Sequence, residues 1–416
     1  MSVRTVAIDS LGAKGDGIAT SPDGPLFVPF SLPGETVGVA VNGAVGTLMS
    51  IAKASPERQE PPCRHFGPDG VNGTCGGCTL QHAADPLYHM FKRQLVIDAL
   101  ASKGIQTEVA PLIPAAPGER RRVVLTARRT EKALLLGYNQ MSSHHLVHIE
   151  ECPIASPGIV GRLDAIRRIA LALASNAEPF RITVLEVESG LDLSVDGVAK
   201  LDNPRRRRAV EAVLALRGIS RLSVGGEVIV EPIKPIVRFG TVPVTPPPGS
   251  FTQATRKAEA AMAELVLDAL GKAKRVADLF SGSGTFALRI AARARVHAVE
   301  SDEKALKALD AAARSTQGLK PVTVERRDLF RRPLMTSELK PFDALVFDPP
   351  RAGAEAQMAE LARSSVKTVV AVSCNPLTLA RDLALLIAGG YRLKSVTPID
   401  QFLWSAHVEA VAVLEK

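Results

Sequence analysis

Cysteine is scarce in this chain, with five residues among 416. So small and odd a number does not suit a paired disulfide framework, and in a reducing compartment cysteines serve more often as metal ligands or catalysts. No apolar run approaches the length of a membrane span, and the opening stretch MSVRTVAIDS lacks the pattern of a secretion signal. We therefore expect a soluble cytoplasmic protein without a membrane partner, whose few cysteines are candidates for chemistry.

Acidic residues are outnumbered by basic ones. The chain has 51 lysines and arginines against 43 aspartates and glutamates, which gives a net charge of +8 and a pI near 9.3. Arginines cluster at 120–122, 205–208, 326–327 and 331–332. A basic surface favours a polyanion such as RNA or DNA, although solvated basic faces without a ligand explain an excess of this size equally well.

The first half of the chain divides into a small barrel and a central domain. Residues 1–54 contain short strand-like stretches separated by glycines, which predicts a small β-barrel of about five strands like an oligonucleotide-binding fold. Residues 55–84 and 107–248 predict a central mixed α+β domain, with one helix near 157–174. Between its two parts, residues 85–106 predict an amphipathic helix that packs on the catalytic domain.

The pattern changes at residue 249. From 249 to 416, strands and helices alternate, and the last two strands have only a short connection. Alternating βα units predict a mainly parallel, doubly wound sheet, so the fold class is α/β. An antiparallel final strand is typical of the class I (Rossmann-like) methyltransferase sheet. We expect this part to be the catalytic domain.

A glycine loop predicts the cofactor site. DLFSGSGT, residues 278–285, follows an apolar strand and opens a helix, at the sheet edge where nucleotides bind. Glu300 ends the next strand, where its carboxylate can accept hydrogen bonds from both ribose hydroxyls. This combination favours S-adenosylmethionine over NAD. Asp328 follows the third strand near the expected adenine, and Asp348 follows the fourth, between cofactor and substrate, unless it only caps a helix or turn.

The fifth cysteine lies at the same sheet edge. Cys374, in SCNP, follows the fifth strand of this domain and precedes a helix, whose amide dipoles favour the thiolate. A thiolate that adds to carbon 6 of uracil makes carbon 5 nucleophilic enough to attack a methyl group, and a base must then remove the carbon-5 proton. Glu409 begins the final strand beside this edge and is our candidate for that base.

Six motifs together carry a family resemblance. GSFTQAT, DLFSGSGTF, ESD, DPPRAG, SCNP and HVEAVAVL, in this order, resemble the RNA uridine-5 methyltransferases that form 5-methyluridine, most closely those acting on 23S rRNA. The resemblance implies Cys374 as nucleophile and Glu409 as proton acceptor. It implies a set of residues around the methyl donor: Gln253, Phe280, Thr285, Glu300, Asp328 and Asp348. Phe251 and Gln253 would border the target base, and the barrel is similar to a TRAM domain.

Two stretches depart from the family pattern. The family often has Asp-Met-Phe-Pro-His-Thr before the glutamate motif, whereas residues 400–405 read DQFLWS. Thr252 stands where the family usually has the second phenylalanine of Phe-Phe-Gln. Because this region borders the target base, the departures bear on the choice of substrate.

The other four cysteines predict a metal site. Cys63, Cys75, Cys78 and Cys152 include one C-x-x-C pair, which can point two thiolates at one centre. Zinc and a [4Fe–4S] cluster both accept four thiolates, so the spacing does not choose between them, and four unrelated buried cysteines are the structural alternative. The resemblance implies the [4Fe–4S] cluster.

The combined prediction is S-adenosylmethionine-dependent methylation of uridine carbon 5 in structured RNA, with 23S rRNA as first choice and a monomeric enzyme. Transfer RNA is the alternative substrate. Cytosine-5 methylation in RNA commonly uses a cysteine after the fourth strand, and DPPRAG has none. Methylation of an exocyclic amine leaves Cys374 idle. An RNA-binding iron–sulfur protein on a decayed methyltransferase fold is the non-enzymatic alternative.

Overall fold

The computed structural model of the protein describes residues 3–22, 24–141 and 143–416. Residues 1, 2 and 23 of the predicted barrel lie outside this description. In the described part of the chain, no helix is both long enough and apolar enough to cross a membrane.

Six strands build the amino-terminal unit: β1 (Val3–Ala7), β2 (Ser10–Leu11), β3 (Gly17–Ser21), β4 (Gly24–Val28), β5 (Thr36–Asn42) and β6 (Val45–Lys53). Their order in the sheet is β1-β5-β6-β4-β3-β2. Because β1 and β2 stand at opposite ends of this order yet are separated by only two residues, the sheet curls round on itself. The predicted barrel is thus confirmed, with six strands instead of about five.

One helix lies between the barrel and the central domain. It is α1 (Asp85–Ala101), which begins with a proline in its first turn. Its buried face, Val96, Ala99 and Leu100, joins the apolar core of the carboxyl-terminal sheet. The chain before it is fixed to the barrel by Arg58, whose Nε lies 2.5 Å from Glu35 Oε1.

A second sheet forms the central domain. Its elements are β7 (Arg122–Arg129), β8 (Leu134–Asn139), β9 (Leu146–His148), α2 (Pro157–Val160), α3 (Leu163–Leu173), β10 (Phe180–Val187), β11 (Gly190–Asp196), α4 (Asn203–Leu214), β12 (Ile219–Val224) and β13 (Glu227–Val230). The strand order is β13-β12-β11-β10-β7-β8-β9. A hairpin of β14 (Val237–Phe239) and β15 (Val242–Val244) follows and packs into the core of the next domain.

The prediction of a single helix in this domain was wrong. The stretch near 157–174 forms two helices, and α4 spans the arginine cluster at 205–208. Asp202 caps α4, because its carboxylate accepts a hydrogen bond of 2.8 Å from the backbone N–H of Arg205. The apolar residues that α4 buries in the core are Ala209 and Val213, with Ala212 packed partly buried beside them. So narrow a stripe gives almost no helical periodicity in the sequence.

The carboxyl-terminal domain alternates helices and strands. Its elements are α5 (Arg256–Leu270), β16 (Arg275–Leu279), α6 (Ala287–Ile290), β17 (Arg295–Glu300), α7 (Glu303–Ser315), β18 (Val322–Arg326), α8 (Thr336–Leu339), β19 (Ala344–Phe347), α9 (Glu355–Ala362), β20 (Thr368–Ser373), α10 (Pro376–Ala388), β21 (Arg392–Ile399) and β22 (Glu409–Glu415). The strand order is β18-β17-β16-β19-β20-β22-β21, and β22 runs antiparallel to both neighbours. This confirms the class I methyltransferase sheet.

The strand directions bring the predicted motifs to one edge. Parallel strands end at the same side of a sheet, so the chain segments after β16, β17, β18, β19 and β20 meet there. Because β22 is antiparallel, its first residue, Glu409, lies at that side as well; its neighbour Ala410 pairs with Ser373 at the end of β20. The topology therefore gathers residues from six strands.

Candidate active site

A cavity of about 460 Å³ opens at this edge. Every residue predicted for catalysis, donor binding or base contact lines it: Phe251, Gln253, Phe280, Thr285, Glu300, Asp328, Asp348, Cys374 and Glu409. These residues come from the loop before α5 and from the ends of five strands and the start of a sixth. The structure thus brings the whole predicted set together around one space, while their individual roles stay predictions.

The glycine loop forms one wall of the cavity. Gly282 and Gly284 have positive φ angles of 53° and 102°, and a Cβ on Gly284 would lie 2.9 Å from the Leu288 side chain. Phe280 has a φ of 59°, a conformation that is uncommon and strained for a residue other than glycine. Glu300 steadies the loop, since its Oε2 accepts a 3.0 Å hydrogen bond from the backbone N–H of Gly282.

An aromatic pair lines the cavity together with Glu300 and Asp328. The rings of Phe280 and Phe330 are 5.5 Å apart between centroids, and Phe330 is 47% exposed. Asp328 accepts a 3.0 Å hydrogen bond from the backbone N–H of Phe330, which fixes the turn that presents the ring. Phe330 is not among the residues that the sequence predicts for the site. An aromatic residue two positions after the adenine-side acid was the available signal.

Two interacting carboxyl groups line the cavity, of which Glu409 is buried and Asp348 is half-buried. Burial raises the pKa of Asp348, and burial together with the charge of Asp348 raises the pKa of Glu409. Gln253 Nε2 donates a 2.8 Å hydrogen bond to Asp348 Oδ2, and Gln401 Nε2 donates to Glu409 Oε2. Ionising both acids at once is therefore unfavourable, and each is held by a neutral amide.

Cys374 lies between the cavity and a wider groove. It also lines a second space, of about 670 Å³, bordered by Lys14 of the barrel, by α1 and by His407. A long substrate in that groove has access to the thiol, while the glycine loop lines the first cavity. Cys374 and Arg351 thus line both spaces and lie where they meet.

The surroundings of Cys374 oppose the thiolate that the helix start was expected to favour. Burial, followed by the charges of Glu409 and Asp348, raises its pKa to about 11. The helix that follows, α10, begins at Pro376 and is capped by Asn375. The helix-start dipoles act through only a fraction of a charge, so burial and two carboxylates outweigh them.

Phe251 stands at the mouth of the cavity. It is 69% exposed, and the guanidinium of Arg122 lies 5.9 Å from the centre of its ring. An exposed aromatic ring beside a cation is a surface on which a nucleobase can stack next to a phosphate. Arg122 comes from the first strand of the central domain, so two domains contribute to this entrance.

The four remaining cysteines gather elsewhere. Cys63, Cys75, Cys78 and Cys152 line one small cavity between the cysteine segment and the central sheet. Burial raises the pKa of all four thiols, and for Cys63, Cys75 and Cys78 the nearby Cys152 raises it further. Within the described residues, no three His, Cys, Asp or Glu side chains are arranged to hold a metal ion directly. The four cysteine side chains line one cavity, but they are not arranged around a single metal ion.

Comparison with known proteins identifies the family. The sequence model of the family tRNA (Uracil-5-)-methyltransferase matches residues 245–416. Over the full length of both chains, the protein is 71% identical to an uncharacterized RNA methyltransferase of Rhizobium meliloti. It is 34% identical to the 23S rRNA (uracil(1939)-C(5))-methyltransferase RlmD of Pseudomonas entomophila, over 99% of this chain and 93% of that one. The chain belongs to the RNA uracil-5-methyltransferase family.

A solved structure agrees with the fold of this methyltransferase. The tRNA (uracil-54, C5)-methyltransferase of Pyrococcus abyssi, in complex with S-adenosyl-L-homocysteine, superposes with a TM-score of 0.76 and 24% identity over 99% of both chains. Family membership makes the protein an enzyme that methylates carbon 5 of uracil in RNA with S-adenosylmethionine. The cavity at the sheet edge is therefore its candidate active site.

Proposed function

We propose that the enzyme methylates uridine through a covalent bond between Cys374 and carbon 6 of the base, with Glu409 as proton acceptor. The observation that supports this is the position of the thiol and the two acids, Glu409 and Asp348, on one cavity with the glycine loop. The base approaches from the wider groove on the other side of Cys374. A uridine in folded RNA must be extruded to enter, at a cost of a few kcal/mol.

The first half of the proposed reaction makes carbon 5 nucleophilic. The Cys374 thiolate forms a bond to carbon 6, and the electron pair of the C5–C6 double bond moves to carbon 5 and the carbonyl oxygen at carbon 4. Carbon 5 then attacks the methyl group of the donor. The methyl–sulfur bond breaks, its electron pair stays on sulfur, and S-adenosylhomocysteine forms.

The second half releases the product. Glu409 takes the proton from carbon 5, the electron pair of that C–H bond re-forms the C5–C6 double bond, and the Cys374 thiolate leaves. Burial helps here, because a carboxylate with a raised pKa is a stronger base than an ordinary one. The proton acceptor and the nucleophile thus work on opposite ends of the same bond.

Trapping the intermediate tests this mechanism. With RNA and methyl-labelled donor, Glu409→Ala is expected to accumulate a methylated protein–RNA adduct that survives a denaturing gel. Cys374→Ala is expected to form none and to lose methyl transfer. Glu325→Ala, which removes an acid of the same sheet outside the cavity, is the control and should turn over without adduct. Full activity of Cys374→Ala would contradict the covalent mechanism.

For the RNA substrate, we propose 23S rRNA. The 34% identity to a 23S rRNA methyltransferase along nearly the whole chain supports this choice. The family name and the Pyrococcus abyssi enzyme keep transfer RNA as the alternative. Mapping 5-methyluridine in rRNA and tRNA from cells with and without the gene decides between them. Loss of a single rRNA site is expected, and loss from tRNA alone would overturn the choice.

For the cysteine site, we propose a [4Fe–4S] cluster, with zinc as the alternative. The four thiols around one small cavity fit either group. The family resemblance of the sequence, rather than the arrangement of the thiols, is what favours the cluster over zinc. Such a cluster would join the cysteine segment, which contains Cys63, Cys75 and Cys78, to the chain that bears Cys152.

Metal analysis of anaerobically purified protein tests this assignment. About four iron and four sulfide per chain are expected for one [4Fe–4S] cluster. Cys75→Ser should lower both, and Cys374→Ser is the matched control, because it removes a cysteine that lies at the other cavity. One zinc per chain without sulfide would replace the cluster by the alternative ion.

A further inference from the structure

Gln401 connects the two acids Glu409 and Asp348 of the candidate active site. It lies in the loop between β21 and β22 and is 2% exposed. Its Nε2 donates to Glu409 Oε2 and, at 2.9 Å, to Gln253 Oε1. Gln253 Nε2 in turn donates to Asp348 Oδ2 at 2.8 Å. Four side chains thus form one continuous chain of hydrogen bonds from Glu409 to Asp348.

A backbone amide gives this chain its direction. The N–H of Ala254 donates a 3.0 Å hydrogen bond to Gln401 Oε1, and a backbone N–H can only donate. The carbonyl oxygen of Ala254 accepts at 2.9 Å from the backbone N–H of Arg121, which holds this peptide from the other side. Gln401 must therefore present its oxygen to Ala254 and its NH₂ group to Glu409 and Gln253.

The orientation of the Gln401 amide also determines that of the Gln253 amide. Because Gln401 offers an N–H, Gln253 presents its oxygen to it and its own NH₂ group to Asp348. Inverting either amide would bring donor against donor or acceptor against acceptor in a buried place, at about 1–3 kcal/mol for each unsatisfied group. Both acids consequently receive an N–H, which favours their ionised forms over the protonated ones.

We propose that Gln401 is the positioning residue for the proton acceptor. It ties one oxygen of Glu409 and leaves the other free to take the carbon-5 proton. Within the described residues, this is the hydrogen bond that the Glu409 side chain makes. Asp348 and Cys374 interact electrostatically with Glu409, and Arg351 lines the same cavity beside Cys374, but within the described residues no ion pair joins a cation to Glu409. A neutral donor is therefore what keeps this base oriented.

This role rests on the proposed covalent mechanism and predicts a specific defect. Gln401→Met keeps the volume of the side chain and removes the donor. Methyl transfer in the first turnover should persist, whereas the deprotonation that follows should slow by about ten- to a hundredfold, the range for a lost hydrogen bond to a charged group. The variant enzyme should then accumulate the methylated RNA adduct in steady state.

A second readout separates positioning from a general loss of structure. Without the donor, the pKa of Glu409 should rise further, so the acid limb of the kcat–pH profile should move to higher pH. Gln357→Met is the matched control. Gln357 is equally buried and bonds both the N–H and the C=O of Leu334, but it lies away from the cavity. That variant should show an unchanged profile and no adduct.

The outcomes distinguish this proposal from the mechanism beneath it. Adduct accumulation in Gln401→Met together with trapping in Glu409→Ala supports the positioning role. Trapping in Glu409→Ala with normal turnover in Gln401→Met overturns the role of Gln401 alone. The role of Gln401 is also overturned if Gln401→Met slows the first methyl transfer as much as it slows turnover. Absence of trapping in Glu409→Ala overturns the covalent mechanism and the positioning role together.

Discussion

Lys92 Nζ lies 2.6 Å from Asp400 Oδ1, and both side chains are completely buried. The same ammonium donates to the carbonyl oxygens of Phe402 and His407, at 2.9 and 2.7 Å. Lys92 belongs to α1, whereas its partners bracket the loop that ends at Glu409. A helix from outside the alternating βα fold therefore holds the segment that carries Gln401 and leads to the proposed base.

Lys92→Met is expected to destabilise the protein by about 3–5 kcal/mol, because it leaves the Asp400 carboxylate buried without its cation. Urea unfolding measures this loss. Lys307→Met is the control, since Lys307 pairs with Glu303 at 2.6 Å on the surface, where a lost pair costs about 0–1 kcal/mol. Equal effects for the two variants would contradict the structural role of the buried pair.

Activity should rise with pH from about 6 to 9. Glu409 must be ionised to accept a proton, and its raised pKa means that this form is lost as the pH falls through a range above that of an ordinary glutamate. The pKa of Cys374 is about 11, so at lower pH the fraction of thiolate rises tenfold for each unit by which the pH increases. Both groups push the kcat–pH profile in the same direction. An optimum below neutrality would show that neither group limits the rate.

Phe330→Ala should weaken binding of S-adenosylmethionine about five- to tenfold, the loss expected when an aromatic contact is removed. Its ring faces Phe280 at 5.5 Å and lines the cavity beside Glu300 and Asp328. Titration calorimetry with the donor measures the change. Met335→Ala, an exposed residue of the same region that does not line the cavity, should leave affinity unaltered. Unchanged affinity in Phe330→Ala would place the donor elsewhere in the cavity.

Phe251→Ala should lower kcat/KM for RNA by about tenfold and leave the affinity for S-adenosylmethionine intact, because base stacking contributes about 1–3 kcal/mol. The ring is 69% exposed at the cavity mouth beside Arg122. Single-turnover methylation at varied RNA concentration measures the effect. Phe330→Ala serves as the reciprocal control, with its defect in donor binding. A Phe251 variant with normal RNA kinetics would exclude stacking at this position.

Local patterns in the sequence were sufficient for the sheet and for the site that it forms. The alternation of apolar runs and helical segments after residue 249 predicts the order of elements, and the motifs follow directly after the strands. Because the carboxyl ends of parallel strands meet at one edge, that local information also predicts which motifs come together. The four cysteines gathered around one cavity were predictable in the same way, from a C-x-x-C pair and two partners.

The existence of helix α4 and the ionisation of Cys374 could not be predicted from the sequence, and the reasons are physical. Helix α4 buries only a narrow stripe, so the periodicity that predicts a helix is almost absent from its arginine-rich sequence. The ionisation of Cys374 depends on how deeply the thiol is buried and on the charges of Glu409 and Asp348, which lie on other strands. The helix start, which the sequence does reveal, affects the pKa of Cys374 less than burial and these two charges do.

The sequence by itself determined at which edge of the sheet the motifs meet, because most of them follow a strand whose direction is given by the βα alternation and Glu409 begins the antiparallel final strand. Only the tertiary structure decided how the acids at that edge are held. Gln253 and Gln401 are 148 residues apart, and their hydrogen bond arises because the loop before α5 and the loop before β22 are folded against each other. Burial turns such a contact into a constraint, since an amide enclosed without water must satisfy its donors and acceptors within the protein.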